Sequence, residues 1–336
     1  LFNLSRPLEP ALQARVAARA GVPVVTTTIF QDLAVYNARG RRGVGKAARW
    51  LLGGDDERLE DARAVLNLSR AGAHELLLRP RLTAGLLGHA LTSRGPGAVA
   101  LQRELIANST TLVFNSQLEA DSVRRCLGPL PATQLAEVAP VGIEPEAFET
   151  LDPAPFTRRF GIKGFALSLG RIEDLKNQLA LVKALAGLDL PLVLAGGVNP
   201  RHRGYARAVS RAAAGRPDTH MVGPVEREMV VSALTAARVH VLPSWFETAG
   251  LASLEAAAAG CAVVSTDTGY ARAYLGDEAE YCDPVDEVSI RAAVERALER
   301  GPSRELQDRV LRRFTVERGA EAMAGAWTWH TPDHAF

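Results

Sequence analysis

Glu247 and Glu255 stand eight residues apart in the run Trp245-Phe246-Glu247-Thr248-Ala249-Gly250-Leu251-Ala252-Ser253-Leu254-Glu255. Carboxylates accept hydrogen bonds, and vicinal hydroxyls are good donors to them. Between the two acids, Thr248 is expected to cap a helix. That leaves the amides of Ala249, Gly250 and Leu251 unpaired at the helix's positive end, where phosphate is attracted. Gly250 has no Cβ and lets a ligand come close to the backbone. Eight helical residues span roughly 12 Å, about the separation of two polyols joined by a diphosphate. A ligand with phosphates in its middle and a hydroxylated ring at each end, such as a nucleotide-sugar, meets those demands. Taken alone, the pair reads equally well as a capped helix with a solvated Glu247.

A second constellation lies at Gly170, Arg171 and Lys176, followed by Asn177 and Gln178. A glycine turn at the end of an apolar run presents two cations five residues apart. Arginine offers a planar fork and lysine a point charge, and both suit a diphosphate. Lysine is scarce in this arginine-rich chain, so Lys176 is not background. Alone, this too could be a solvated pair at a helix start; two such sites in one chain are harder to dismiss.

The elements that must position these residues alternate. Short apolar runs at 164–169, 191–195, 219–222, 238–242, 261–266 and 280–282 read as buried strands. Helical patterns fall at 176–187, 201–214, 226–237, 250–259, 270–275 and 287–300, with an amphipathic helical tail over 303–330. Such alternation predicts an α/β fold with a parallel sheet covered on both faces. The first part is less regular: strands over 1–4, 22–27 and 111–114, a helix over 10–20, a mainly helical stretch over 31–110, and a capping box at Ser116-Gln117-Leu118-Glu119.

From about Gly142 to Tyr281 the chain resembles the C-terminal domain of retaining GT-B glycosyltransferases, the glycosyl transferases group 1 of bacterial type. The resemblance rests on Gly170-Arg171 with Lys176-Asn177-Gln178, on Ala195-Gly196-Gly197, on Val222-Gly223, and on Glu247-x-x-Gly250-Leu251-x-x-Leu254-Glu255-Ala256. It implies two Rossmann-like domains facing across a cleft: an acceptor-side domain over 1–142, a nucleotide-sugar domain over 143–302, and C-terminal helices over 303–336 crossing back to the first. It implies strands before Leu1, so that upstream residues are expected to be absent and the first domain incomplete. It also implies a hexosyltransferase that moves a sugar from a nucleotide-diphosphate donor to a hydroxyl of a glycan or lipid-linked acceptor with retention, in cell-envelope or polysaccharide synthesis. In that reading Glu247, Arg171 and Lys176 are catalytic. The donor is held by Gly170, Arg171, Lys176, Glu247, Thr248, Ala249, Gly250, Leu251 and Glu255. Glu247 faces the sugar, Glu255 the ribose, and Val222, Gly223, Pro224 and Val225 the base. Alternatives are a nucleotide-sugar epimerase on the same fold, a glycan phosphorylase, for which no cofactor-lysine site is evident, and a catalytically silent nucleotide-sugar-binding protein. Three positions depart from the family's habit: Gln31 where many relatives carry His, Val141 where Asn is common, and Ala273 where Glu is frequent.

Composition narrows the classes further. Apolar content is high and charge moderate, which suits a globular chain of two domains. No apolar run approaches the roughly 20 residues that span a bilayer, and no secretory signal opens the chain. Cys126, Cys261 and Cys282 are widely spaced and odd in number, which reads as reduced thiols and a cytoplasmic setting. No Asp-x-Asp occurs, so neither a metal nor any other cofactor is expected. His240, alternating with Val239 and Val241, reads as structural, and His330 and His334, separated by Pro332, as a solvated terminus. Residues 1–140 are net basic. The segment 39–52, with Arg39, Arg41, Arg42, Lys46 and Arg49 before Trp50, is a candidate peripheral contact with the inner face of a membrane, or else a solvated loop. It lacks interleaved aromatics, so nucleic acid is not expected as a partner.

Overall fold

The computed structural model describes Leu4 and residues 7–40 and 97–328. Among these residues the strands form two parallel sheets. The chain divides into two compact units, residues 1–139 with 322–336, and residues 140–321. Of the expected strand at 1–4 only Leu4 is described, and it lies in a turn; the basic segment beyond Gly40, and His330 and His334, lie outside the described residues.

In the first unit, β1 (Val25–Thr27), β2 (Thr111–Phe114) and β3 (Leu135–Val138) pair in that order. All four residues of β2 are buried, as a central parallel strand requires. Helix α1 (Leu8–Arg19) and helix α2 (Ala98–Ala107) pack together, and Leu101, Leu105, Leu112 and Phe114 anchor the core. Helix α3 (Gln117–Leu127) starts at the capping box read from sequence, with Ser116 Oγ accepting from the Glu119 amide. The carboxylate of Glu119 goes elsewhere. Fully buried, it accepts from the amides of Asn115 and Phe30 and from the Thr28 hydroxyl.

The second unit holds β4 (Ala166–Leu169), β5 (Leu192–Ala195), β6 (Thr219–Gly223), β7 (Val239–Leu242), β8 (Ala262–Thr266) and β9 (Glu280–Cys282). Their order across the sheet is β6-β5-β4-β7-β8-β9. Side chains of a strand alternate between faces, and here both faces are apolar. Val193, Leu167 and Val263 join one core. Leu192, Leu194, Val239, Val241 and Val264 join the other. The intervening helices cover those faces: α4 (Ala154–Phe160), α5 (Gln178–Ala184), α6 (Arg203–Ala214), α7 (Arg227–Ala236), α8 (Leu251–Ala258), α9 (Arg272–Leu275), α10 (Glu287–Arg300) and α11 (Arg304–Arg313).

After β4 the chain steps outward to β5, and after β7 it steps the other way to β8. The adjacent C-terminal ends of β4 and β7 are therefore the point where strand order reverses, the place where an open α/β sheet leaves a crevice for a ligand.

Two expected helices are divided. The pattern over 176–187 is interrupted at Asn177, whose left-handed backbone separates the 3-10 turn Asp174–Lys176 from α5. The tail breaks between α11 and α12 (Val316–Thr328). There Ile143 donates to the Phe314 carbonyl and accepts from the Val316 amide, which holds Thr315 in a strand-like bridge.

Candidate nucleotide-sugar site

The loop after β4 is fixed by backbone pairing. Gly170 donates to the Ala195 carbonyl, Ile172 to that of Gly197, and Asn199 to that of Ile172. Gly196, at φ +143°, lies so close that a Cβ there would stand 2.0 Å from the Gly170 oxygen. The sequence Lys176-Asn177-Gln178 then has a structural reason. Asn177 takes the left-handed conformation that Asn tolerates better than most residues, and its amide donates to the Pro284 carbonyl. Gln178 Nε2 donates to the Arg171 carbonyl at 2.7 Å, tying the helix start back to the loop. Glu173, nearly buried, accepts from Arg171 Nη2 and from Asn199 Nδ2.

The loop after β7 docks onto the first, the Trp245 amide donating to the Leu175 carbonyl at 2.9 Å. The segment after β8 locks it from the other side. Glu247 bridges Gly269, its carbonyl accepts from the Tyr270 amide, and Thr268 Oγ1 donates to the Trp245 carbonyl. Phe246 meets Tyr270 edge-on at 5.1 Å. The structure corrects the expected start of the helix. Thr248 is not its cap, and the helix begins at Leu251 after Gly250, which is left-handed at φ 71°. The loop must reverse direction at Gly250, and only a residue without Cβ does so without strain. Glu247 therefore stands in the loop, and the eight residues to Glu255 are not all helical. Among the described residues the amides of Ala249, Gly250 and Leu251 have no backbone acceptor, so the amide cluster read from sequence remains at the helix start.

The structure brings the two constellations together. Lys176 Nζ lies 2.5 Å from Glu247 Oε1, with the carboxylate almost wholly buried. Arg171, by contrast, is 70% exposed and paired with Glu173. Glu255 is paired as well, its Oε1 accepting from Arg227 Nη1 at 2.5 Å; Arg227 Nη2 lies 3.3 Å from Glu144. Arg227 opens α7, just past Val222, Gly223, Pro224 and Val225. Sequence reading missed Arg227, one arginine among many with no spacing to mark it, and it missed the clamp at Thr268–Tyr270. His240 sits on β7, wholly buried, and neither ring nitrogen has a hydrogen-bond partner among the described residues. Burial pushes its pKa down to about 3, the charge of Lys176 adds to this, and only the Leu167 backbone opposes it.

Residues 157–310 match the family described as glycosyl transferases group 1. That match falls within the second unit, which is similar to group 1 glycosyltransferase domains. Two curated relatives are D-inositol 3-phosphate glycosyltransferases. That of Saccharomonospora viridis is 28% identical over 248 residues, covering 66% of this chain and 56% of the relative. That of Stackebrandtia nassauensis is 29% identical over 250 residues, covering 69% and 54%. The chain thus spans about half the length of the curated relatives it matches. Among solved structures, sucrose-phosphate synthase from Thermosynechococcus elongatus superposes with a TM-score of 0.63 at 18% identity, covering 94% of this chain and 75% of that one. Anabaena HepE in complex with UDP and glucose gives 0.62 at 15% identity, covering 98% of each. Alongside the parallel sheets described above, these likenesses show a GT-B fold. Among the described residues, no helix is long and apolar enough to cross a membrane.

Proposed function

We propose that the chain transfers a sugar from a nucleotide-diphosphate donor to an acceptor hydroxyl with retention, in glycan synthesis at the inner face of the cell envelope. The observation that carries this reading is the Lys176–Glu247 pair, which joins the loop after β4 to the loop after β7 at the reversal of strand order. A diphosphate placed there draws Lys176 toward itself and frees Glu247 to accept hydrogen bonds from the sugar hydroxyls. Arg171, Lys176 and the amides of Ala249, Gly250 and Leu251 then offset the negative charge that develops on the departing diphosphate, already oriented before the bond breaks. Glu255 accepts from the ribose, and Val222–Val225 flank the base. The reading calls on no metal or other cofactor, since these cations and amides supply the positive charge.

The UDP and glucose bound to HepE and the phosphorylated polyol in the relatives' name support the donor class and suggest acceptors to test. Thermal unfolding with UDP-, ADP- and GDP-sugars should show one donor raising the transition, as a ligand bound to the native state must. Transfer is then assayed with D-inositol 3-phosphate, short glycans and lipid-linked sugars, the anomer being read by NMR. Failure of every donor to stabilise the protein, or an inverted product, would overturn the reading.

A further inference from the structure

A site for a diphosphate that also holds two carboxylates carries an electrostatic conflict, since like charges at close range disfavour one another. The structure answers it twice. Glu247 has Lys176, and Glu255 has Arg227, at the same 2.5 Å. Lys176 belongs to the constellation already assigned to the phosphates; Arg227 has no such assignment.

Its placement is specific. Arg227 is the first residue of α7, directly after the loop flanking the base, whereas Glu255 lies on α8. The side chain of Glu255 is 15% exposed and spends Oε1 on Arg227. Among the described residues no hydrogen bond is made to Oε2. A glutamate has several rotamers, and a ligand that must itself fix them loses affinity. A guanidinium holding one oxygen pre-orients the carboxylate and leaves the other oxygen for a second donor.

We propose that Arg227 is a positioning residue for ribose recognition. It holds Glu255 so that Oε2 is available to the ribose diol of a nucleoside diphosphate, and its charge keeps that carboxylate tolerable beside the phosphates. The inference rests on the reading of Glu255 given above and adds a residue to it.

The test is calorimetry on the full chain with UDP, ADP and GDP, then with the 2′-deoxy counterpart of the tightest binder. Wild type should prefer the ribonucleotide by about tenfold, the worth of one charge-assisted hydrogen bond. Arg227→Ala should bind the ribonucleotide about five- to tenfold more weakly and lose most of the preference for ribose. Arg227→Lys, which keeps the charge but not the fork, should recover affinity more than discrimination. A merely structural arginine would alter the unfolding temperature without altering the ribose/deoxyribose ratio. Full discrimination in Arg227→Ala, with Glu255→Gln having lost it, overturns the role of Arg227 and leaves the reading of Glu255 standing. Unchanged discrimination in Glu255→Gln, or no nucleotide binding by wild type, overturns that reading and the inference with it.

Discussion

With Lys176 already held by Glu247 at 2.5 Å, a diphosphate has to compete with a carboxylate for its cation. Glu247→Gln removes the competitor. The variant should bind free nucleoside diphosphate a few-fold more tightly and turn over more slowly, since Gln is a weaker acceptor for sugar hydroxyls. Calorimetry beside initial rates checks the opposed signs, and weaker nucleotide binding would count against the exchange. His240 supplies a pH effect. Its folded pKa of about 3 lies below the ordinary 6.5, so between those values the unfolded chain binds more protons. The stability His240 contributes is therefore complete above about pH 6.5 and is lost as pH falls toward 3, by at most about 1.4 kcal/mol per pH unit. His240→Leu removes the titrating ring and should flatten that acid limb in urea titrations at a series of pH values; an unchanged limb would assign it to other groups. At this scale the sequence exposed residues whose type and spacing are unusual, such as Lys176 and the Glu247/Glu255 pair. It hid Arg227, whose partner is assigned only by the packing of α7 against α8. It also misplaced the helix cap, because Thr248 has the right chemistry but the chain turns at Gly250.

Each half of the site leans on a glycine from a neighbouring loop. A Cβ on Gly196 would meet the Gly170 carbonyl oxygen at 2.0 Å, and one on Gly269, at φ +101°, would meet the Glu247 carbonyl oxygen at 2.2 Å. Both obstacles are backbone, so the loop must move rather than a side chain. Gly269→Ala should shift the Glu247 loop and lower nucleotide-sugar affinity at least tenfold, with a loss of stability of about 1–3 kcal/mol for strain at that conformation. Gly196→Ala should do the same through Gly170 and Arg171. Wild-type affinity in either variant would mean that the loops are more compliant than their hydrogen bonds suggest. In the second unit strands were legible to within a residue or two, since apolar runs between glycines leave little choice; in the first, β1 starts three residues later than read and the half-exposed β3 was not read. Helix interruptions were not. The break at Asn177 serves the Pro284 carbonyl, and the break at Thr315 serves Ile143, more than a hundred residues away in each case.

The molecule comprises two compact units, and every residue assigned to the donor lies in the second. A nucleoside diphosphate should therefore slow hydrogen exchange in β4, β7 and the loops after them, by mass action on that unit's opening, and leave the amides of β1–β3 nearly unaffected. Equal protection of both sheets would show that the units open together. From sequence, the division near residue 140 was visible as a change of rhythm. That the C-terminal helices cross back to the first unit was implied only by the family resemblance, because an amphipathic helix does not say which core its face will meet.

That last helix sets a clock on synthesis. Met323 and Ala326 of α12 complete the apolar cluster around Val113 and Ala139, yet they are translated roughly 180 codons after Ala139. A ribosome adding about 5–20 residues per second leaves that face of the nascent first unit bare for about ten to forty seconds, while the whole second unit emerges and folds. Any chaperone that shields sticky nascent chains has its task here, and a chain cut short at Glu321 would hold all of the second unit yet lack the residues that complete the first.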